Sequence, residues 1–161
     1  AAMLFYIWIR FEWQFSLGAI VAIIHDVIIT VGIFSALSYE INLSIVAAVL
    51  TIVGYSMNDT VVIFDRVREN LKKYTKISIS EISNVSTNET LSRTIITSVT
   101  TLLALFSIYI FGGSILKGFS FAMIVGVIVG TYSSIFVATP ILNFTNVNSK
   151  TILKEDINDN N

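Results

Sequence analysis

The sequence contains no cysteine, a single histidine and few charges: Lys, Arg, Asp and Glu make up 13% of its 161 residues. Without cysteine there are no disulfides, no thiolate metal sites and no thiol nucleophile. One histidine and no tight carboxylate cluster argue against a metal centre. No glycine-rich phosphate loop follows a strand, which argues against nucleotide-driven chemistry within the chain. The net charge of −1 suggests no polyanionic partner. No basic patch carries the interleaved aromatics of a nucleic-acid site. An ordinary soluble domain has about a quarter charged residues, so this chain is poorly suited to water.

What is present is apolar. Hydrophobic residues reach 54%, and mean hydropathy is +0.78. From Trp13 to Phe64 the formal charges are Asp26, Glu40 and Asp59, and from Thr94 to Ser149 there is Lys117 alone. The composition predicts an all-α, polytopic membrane helix bundle.

A spanning helix needs about 20 mostly apolar residues. The segments 15–37, 43–65, 92–111 and 119–143 supply four such spans. The opening AAMLFYIWI covers about half a bilayer and reads as the end of a fifth, truncated span over 1–10, in a fragment of a longer protein. It lacks the basic n-region and cleavage site of a signal peptide. RFEW, SYEIN and GGSILKG read as tight turns. Residues 66–91 form the one substantial loop, part of it a possible amphipathic helix, and the Asn/Asp-rich 146–161 reads as a disordered tail.

Orientation follows from Lys and Arg. Arg10, Arg66, Arg68, Lys72, Lys73, Lys76, Arg93, Lys150 and Lys154 fall on one side of the alternating topology, and Lys117 on the other. The bias predicts a cytoplasmic 66–91 loop and C-terminus.

Helical spacing sorts the candidate residues into faces. Ala122, Gly126, Gly130, Ser134 and Ala138 form a small-residue ridge that lets another helix approach closely. Gly18, Ala22 and Asp26 repeat in the same way. Arg93, Thr97, Thr100, Ala104 and Ser107 share one face, and Thr51, Gly54, Tyr55, Asn58 and Asp59 another. Asp59 lies roughly 10 Å along the axis from Arg66. A carboxylate at that depth costs about 2.5–3.5 kcal/mol on insertion scales, so it is expected to face the bundle interior or a wet cavity. It serves there either as a functional ionisable group or as a structural salt bridge or interhelix hydrogen bond. Arg93 reads as an interfacial arginine, as a partner of Asp59 at compatible depth, or as a partner of Glu89 one turn earlier. His25 and Asp26, in mid-span, read as a proton relay or as glue between helices. Asp65, Arg66, Arg68 and Glu69 read as a solvated interface.

GYSMNDTVVIFDRVREN (54–70) closely resembles the signature of the SecF family of the bacterial Sec protein-export machinery, within the resistance–nodulation–division superfamily. FEWQFSLGAIVAIIHDVIIT, TLSRTIITSVTTLLALFSIYIFGG and GFSFAMIVGVIVGTYSSIFVATPIL resemble its flanking segments in the same order, and together they cover about residues 5–142. The resemblance implies the second to sixth spans of a six-span subunit. That subunit works with SecD and uses the proton-motive force to pull exported polypeptide from the SecYEG channel. It implies Asp59 as the proton-carrying carboxylate, with Arg93 as its basic partner. Asn58, Thr97 and Thr100 would hold water on the path, and His25 and Asp26 match the family's HDV element. No bond-making catalysis and no cofactor beyond protons is implied. The alternatives are a proton-coupled small-molecule or lipid exporter of the same superfamily and a passive scaffold. The in-membrane ionisable residues speak against a scaffold.

Overall fold

In hydrocarbon every backbone amide must find its partner within the protein, so apolar segments of this length settle as helices. The computed structural model describes residues 13–39, 42–74 and 77–145. Helices α1 (Trp13–Ala36), α2 (Leu43–Lys73), α3 (Ile79–Phe111) and α4 (Gly113–Ser133) follow one another. A π-helical turn (Ser134–Ala138) then leads into a short α5 (Thr139–Phe144). Four segments are long and apolar enough to cross a membrane, the last running from Gly113 to Phe144.

The helices run past the apolar limits expected from the sequence. α2 continues through the charged stretch to Lys73 and α3 begins at Ile79, so most of 66–91 is helical. The polar residues there suit a helix whose inner face has a partner, and each of the two helices supplies it to the other. The expected span end over 1–10 and the expected tail over 146–161 lie outside the described residues.

The turns are built from local chemistry. After α1, Tyr39 N–H donates to Phe34 O and Ser38 N–H to Ser35 O, each at 3.1 Å. Ser38 takes a positive φ of 54°, and the Phe34 and Tyr39 rings meet at 5.3 Å. This is a Schellman closure with its hydrophobic contact. Asn42 caps α2 by accepting from Ile45 N–H at 3.1 Å. Ser78 caps α3 by accepting from Glu81 N–H at 3.3 Å. Gly113 permits the sharp reversal between α3 and α4 with a φ of +72°.

Neighbouring pairs fix the topology. Gly18 meets Phe64, and Asp26 meets Ser56, so α1 and α2 are antiparallel. Gly118, Gly126 and Gly130 meet Ile45, Ile52 and Ser56 in order, so α2 and α4 run parallel. Arg66 and Asn70 reach Glu89 and Ser86, so α3 opposes α2. α2 and α4 therefore share the centre, each touching the other three long helices.

Size is sorted inside out. Small or polar residues such as Ala22, Ala48, Ser56, Thr60, Ser86, Thr94, Ala122 and Ser133 are buried. Ile28, Leu43, Leu50, Ile96, Leu103 and Ile110 stand exposed on the outside. Lipid removes the incentive to hide large apolar groups, while close helix contact selects small ones.

The end of the last span carries Pro140. Proline has no N–H and disturbs the helical ladder behind it. The chain widens there into the π turn, and Thr139 Oγ1 donates to Ser134 O at 3.0 Å. The turn also brings Ala138 O close to α1, 3.2 Å from where a Cβ on Gly18 would stand.

Candidate functional site: a polar layer inside the bundle

Asp59 on α2 is 4% exposed, and its Oδ2 has no hydrogen-bond partner. It points into the bundle, as a costly charge should. Asn58, the next residue back, is exposed. The face drawn from the sequence through Asn58 and Asp59 is thus divided between outside and inside. A rotation of about 100° per residue separates neighbours, and the packing of the bundle turns Asp59 inward.

Arg93 on α3 is exposed and makes no direct ion pair with Asp59, although its charge acts on that carboxylate. It lines a cleft of about 340 Å³ together with Val62, Asp65, Arg66, Glu69 and Glu89. Arg93 therefore stands between the buried acid and a charged opening at the end of the α2–α3 pair. Thr97 donates to Arg93 O and Thr94 O, and Thr100 to Ile96 O and Thr97 O. Both hydroxyl hydrogens are spent on their own helix, and Thr100 is exposed.

The inner face of α3 is a different one. Ser86, Thr90, Thr94 and Ser98, four residues apart, are buried. Ser98 Oγ and Thr131 Oγ1 lie 2.7 Å apart, linking α3 to α4. Thr94 Oγ1, like Asp59 Oδ2, is buried without a partner. Both four-residue stripes on α3 are rich in small hydroxylic residues, so the sequence offers no way to choose between them. The signal missed was the β-hydroxyl repeat at 86, 90, 94 and 98.

Asp26 on α1 is 1% exposed. Ser56 Oγ donates to its Oδ2 at 2.5 Å, and His25 Nδ1 stands 3.1 Å from its Oδ1. Ser56 drew no notice in the sequence as a polar partner, because a lone serine in a span carries no pattern.

The ridge on α4 lies against α2. A Cβ on Gly126 would fall 2.2 Å from Ile52 Cγ1, and one on Gly130 3.0 Å from Ser56 Cβ. Ala122 and Ser134 are buried along the same line.

Beyond the apolar region, α2 and α3 are clasped. Arg66 donates to Glu89 at 2.6 Å and to Glu69 at 2.5 Å. Asn70 Nδ2 donates to Ser86 Oγ at 2.9 Å and to Glu89 Oε2 at 2.8 Å. The hydrogen bond to Glu89, then that to Glu69, pushes the Arg66 guanidinium further above its usual value. The bonds from Arg66 and Asn70 hold the Glu89 carboxyl below the usual carboxylate range. The sequence allowed Glu89 to Arg93; the structure gives Glu89 to Arg66, because the carboxylate leans across to α2. Arg66 and Glu69, read as merely solvated, are parts of this clasp. Among the described residues, no group of three His, Cys, Asp or Glu side chains forms a metal site.

Comparison with known proteins agrees along the chain. Residues 1–148 match the family described as protein export membrane protein SecD/SecF, C-terminal. The protein translocase subunit SecF of Rhodobacter capsulatus is 58% identical over 142 residues, covering 88% of this chain and 43% of the relative. That of Rickettsia bellii is also 58% identical, covering 88% of this chain and 47% of the relative. The chain thus spans less than half the length of these curated relatives. A crystal structure of SecDF in a super-membrane-facing form superposes with a TM-score of 0.85 at 42% identity, over 99% of this chain and 21% of that one. SecDF from Thermus thermophilus, described as a translocon-associated membrane protein, gives 0.85 at 46% identity, over 89% of this chain and 20% of that one. With its helix order, its buried carboxylates and a match across nearly its whole length, the chain belongs to the SecD/SecF family of protein export membrane proteins.

Proposed function

We propose that this chain is the membrane motor part of a SecF-type translocase subunit, which uses the proton-motive force together with SecD to drive late steps of polypeptide export through SecYEG. The observation that carries this reading is Asp59: a buried carboxylate with an unpartnered oxygen, on a helix facing the one that bears Arg93. A buried carboxylate is unstable when charged, and a guanidinium drawn alongside stabilises the charged form. Small shifts of α3 against α2 therefore load or release a proton. In the arrangement described, Asp59 and Arg93 are apart, which suits the protonated acid. Ionisation would draw Arg93 inward from the cleft. The membrane potential supplies about 2.3 kcal/mol per charge per 100 mV to bias that choice.

No bond of the exported polypeptide is made or broken in this cycle, and protons are the only coupling species. The chain is placed in the bacterial inner membrane, with the α2–α3 end in the cytoplasm and Lys117 outside. Family likeness and the Lys/Arg bias support that orientation.

The deciding experiment is proton-driven export in inverted membrane vesicles containing the whole complex. Asp59→Asn is expected to abolish stimulation by the proton gradient, while the subunit stays inserted and bound to SecD. Arg93→Ala should act nearly as strongly, and Arg93→Lys more mildly, because charge survives without the planar fork. ATP-driven transport should persist in each. A wild-type response from Asp59→Asn vesicles would make Asp59 structural. For orientation, cysteines introduced by Asn84→Cys and Lys117→Cys, both at exposed positions, should react with an impermeant reagent from opposite sides.

A further inference from the structure

We propose that Asp26 is a second proton-binding carboxylate of this bundle, joined through Ser56 to the helix that carries Asp59 and served by His25. The proposal rests on the proton-coupled reading above and deepens it.

Asp26 is buried in mid-helix, 1% exposed, and no Lys or Arg occurs between Trp13 and Phe64 or between Gly118 and Thr145 to balance its charge. Its two oxygens are held by different helices. His25 of α1 faces Oδ1 at 3.1 Å, and Ser56 of α2 donates to Oδ2 at 2.5 Å. The titratable groups nearest along the two helices are His25 beside it on α1 and, flanking Ser56 on α2, Tyr55 and Asp59. α4 contributes none between Lys117 and Tyr132. Ser56 lies one turn from Asp59 on the same helix, so a change at one acid is passed to the backbone turn that positions the other. Thr60 Oγ1 stiffens that turn by donating to Ser56 O at 3.2 Å. α4 closes the third side: a Cβ on Gly130 would stand 3.3 Å from Ser56 Oγ.

Exposure gives the direction of supply. The His25 side chain is 28% exposed, against 1% for Asp26. A proton passing from His25 Nδ1–H to Asp26 Oδ1 leaves a neutral imidazole and a neutral acid, and Oδ2 still accepts from Ser56. The hydrogen-bonded frame survives loading, and only the charge changes. A merely structural Asp26 would work equally well as an amide.

That difference is the test. In vesicles containing the complete translocase complex, Asp26→Asn keeps an acceptor for Ser56, so recovery of the complex should match wild type. Stimulation of export by the proton gradient should fall to the level seen without a gradient. Infrared difference spectra on acidification should lose one carboxylic-acid carbonyl band in Asp26→Asn and a separate one in Asp59→Asn. If Asp26→Asn responds as wild type while Asp59→Asn does not, the Asp26 proposal is overturned and the Asp59 reading stands. A wild-type response from both overturns the proton-coupled reading itself. Should Asp26→Asn fail to assemble, His25→Gln decides, because glutamine still donates a hydrogen bond but does not titrate. Its pH profile for proton-driven export should lose the limb set by the imidazole, and an unchanged profile overturns the proposal.

Discussion

The two faces of α2 differ in how closely the neighbouring helices approach. Toward α1 and α4 the backbones come close: Gly18 on Phe64, Gly126 on Ile52, Gly130 on Ser56, and Asp26 held from two sides, with Thr30 Oγ1 on α1 buried without a partner. Toward α3 the buried polar atoms Asp59 Oδ2 and Thr94 Oγ1 have no partner, and a cleft opens at Arg93. Burial differs accordingly: half of the last span's most apolar window is buried, but only 17% of the window on α3. A close-packed interface is bistable at best and resists gradual deformation, whereas one that opens on a cleft leaves its side chains room to move. On the proposed reading, the close α1–α2–α4 contacts serve as a frame and α3 is the part that shifts against it.

The strongest way to break this contrast is Gly126→Leu. Three atoms of the Ile52 side chain would lie within 2.8 Å of the new Cβ. The loss should reach at least the upper end of overpacking, roughly 3 kcal/mol, read as failed recovery of the complex from detergent. Ile52→Ala in the same chain should restore part of it. If Gly126→Leu assembles normally, the frame is not tightly packed.

Ser56→Ala probes the same side more gently. It leaves Asp26 Oδ2 without its donor, at an expected cost of about 1–3 kcal/mol in thermal stability. Asp59→Asn on the other side should cost less in the same melting experiment: Oδ2 has no hydrogen bond to lose, and the added burden is the new amide N–H groups alone. Equal losses from the two changes would erase the distinction between frame and mover.

The smallest effect belongs to the clasp between α2 and α3 beyond the apolar region. Glu89 is held below its ordinary value of 4.5, so its contribution is present above that pH and is lost as pH falls through the lower folded-state value. Glu89→Gln should therefore lower stability slightly at neutral pH and not at all in strong acid. Salt should shrink the difference, since the pair is open to solvent. Thermal melts at several pH values and salt concentrations read this directly.

Much of the architecture was legible in the residues. The four apolar segments appear because a bilayer requires length and hydropathy whatever the neighbours are. The glycine-and-alanine ridge on the last span is visible because the need for close approach leaves a four-residue repeat. Its seat on Ile52 and Ser56 is not visible, since any helix surface can accept such a ridge. The extent of α2 and α3 beyond the membrane was hidden, because polar residues form helix there only through partners such as Arg66 with Glu89 and Asn70 with Ser86.

The sequence by itself determined the medium, the number of long apolar helices among the described residues and the presence of costly carboxylates at Asp26 and Asp59. These follow from transfer energetics, which act residue by residue. Only the tertiary structure decided that Asn58 faces out while Asp59 faces in, that α3 turns Thr94 and Ser98 inward instead of Thr97 and Thr100, and that Ser56 holds Asp26. Along a helix with apolar residues all around, hydropathy does not distinguish one face from another. The choice is made by which neighbouring backbone can come close and which polar atom it leaves without a partner.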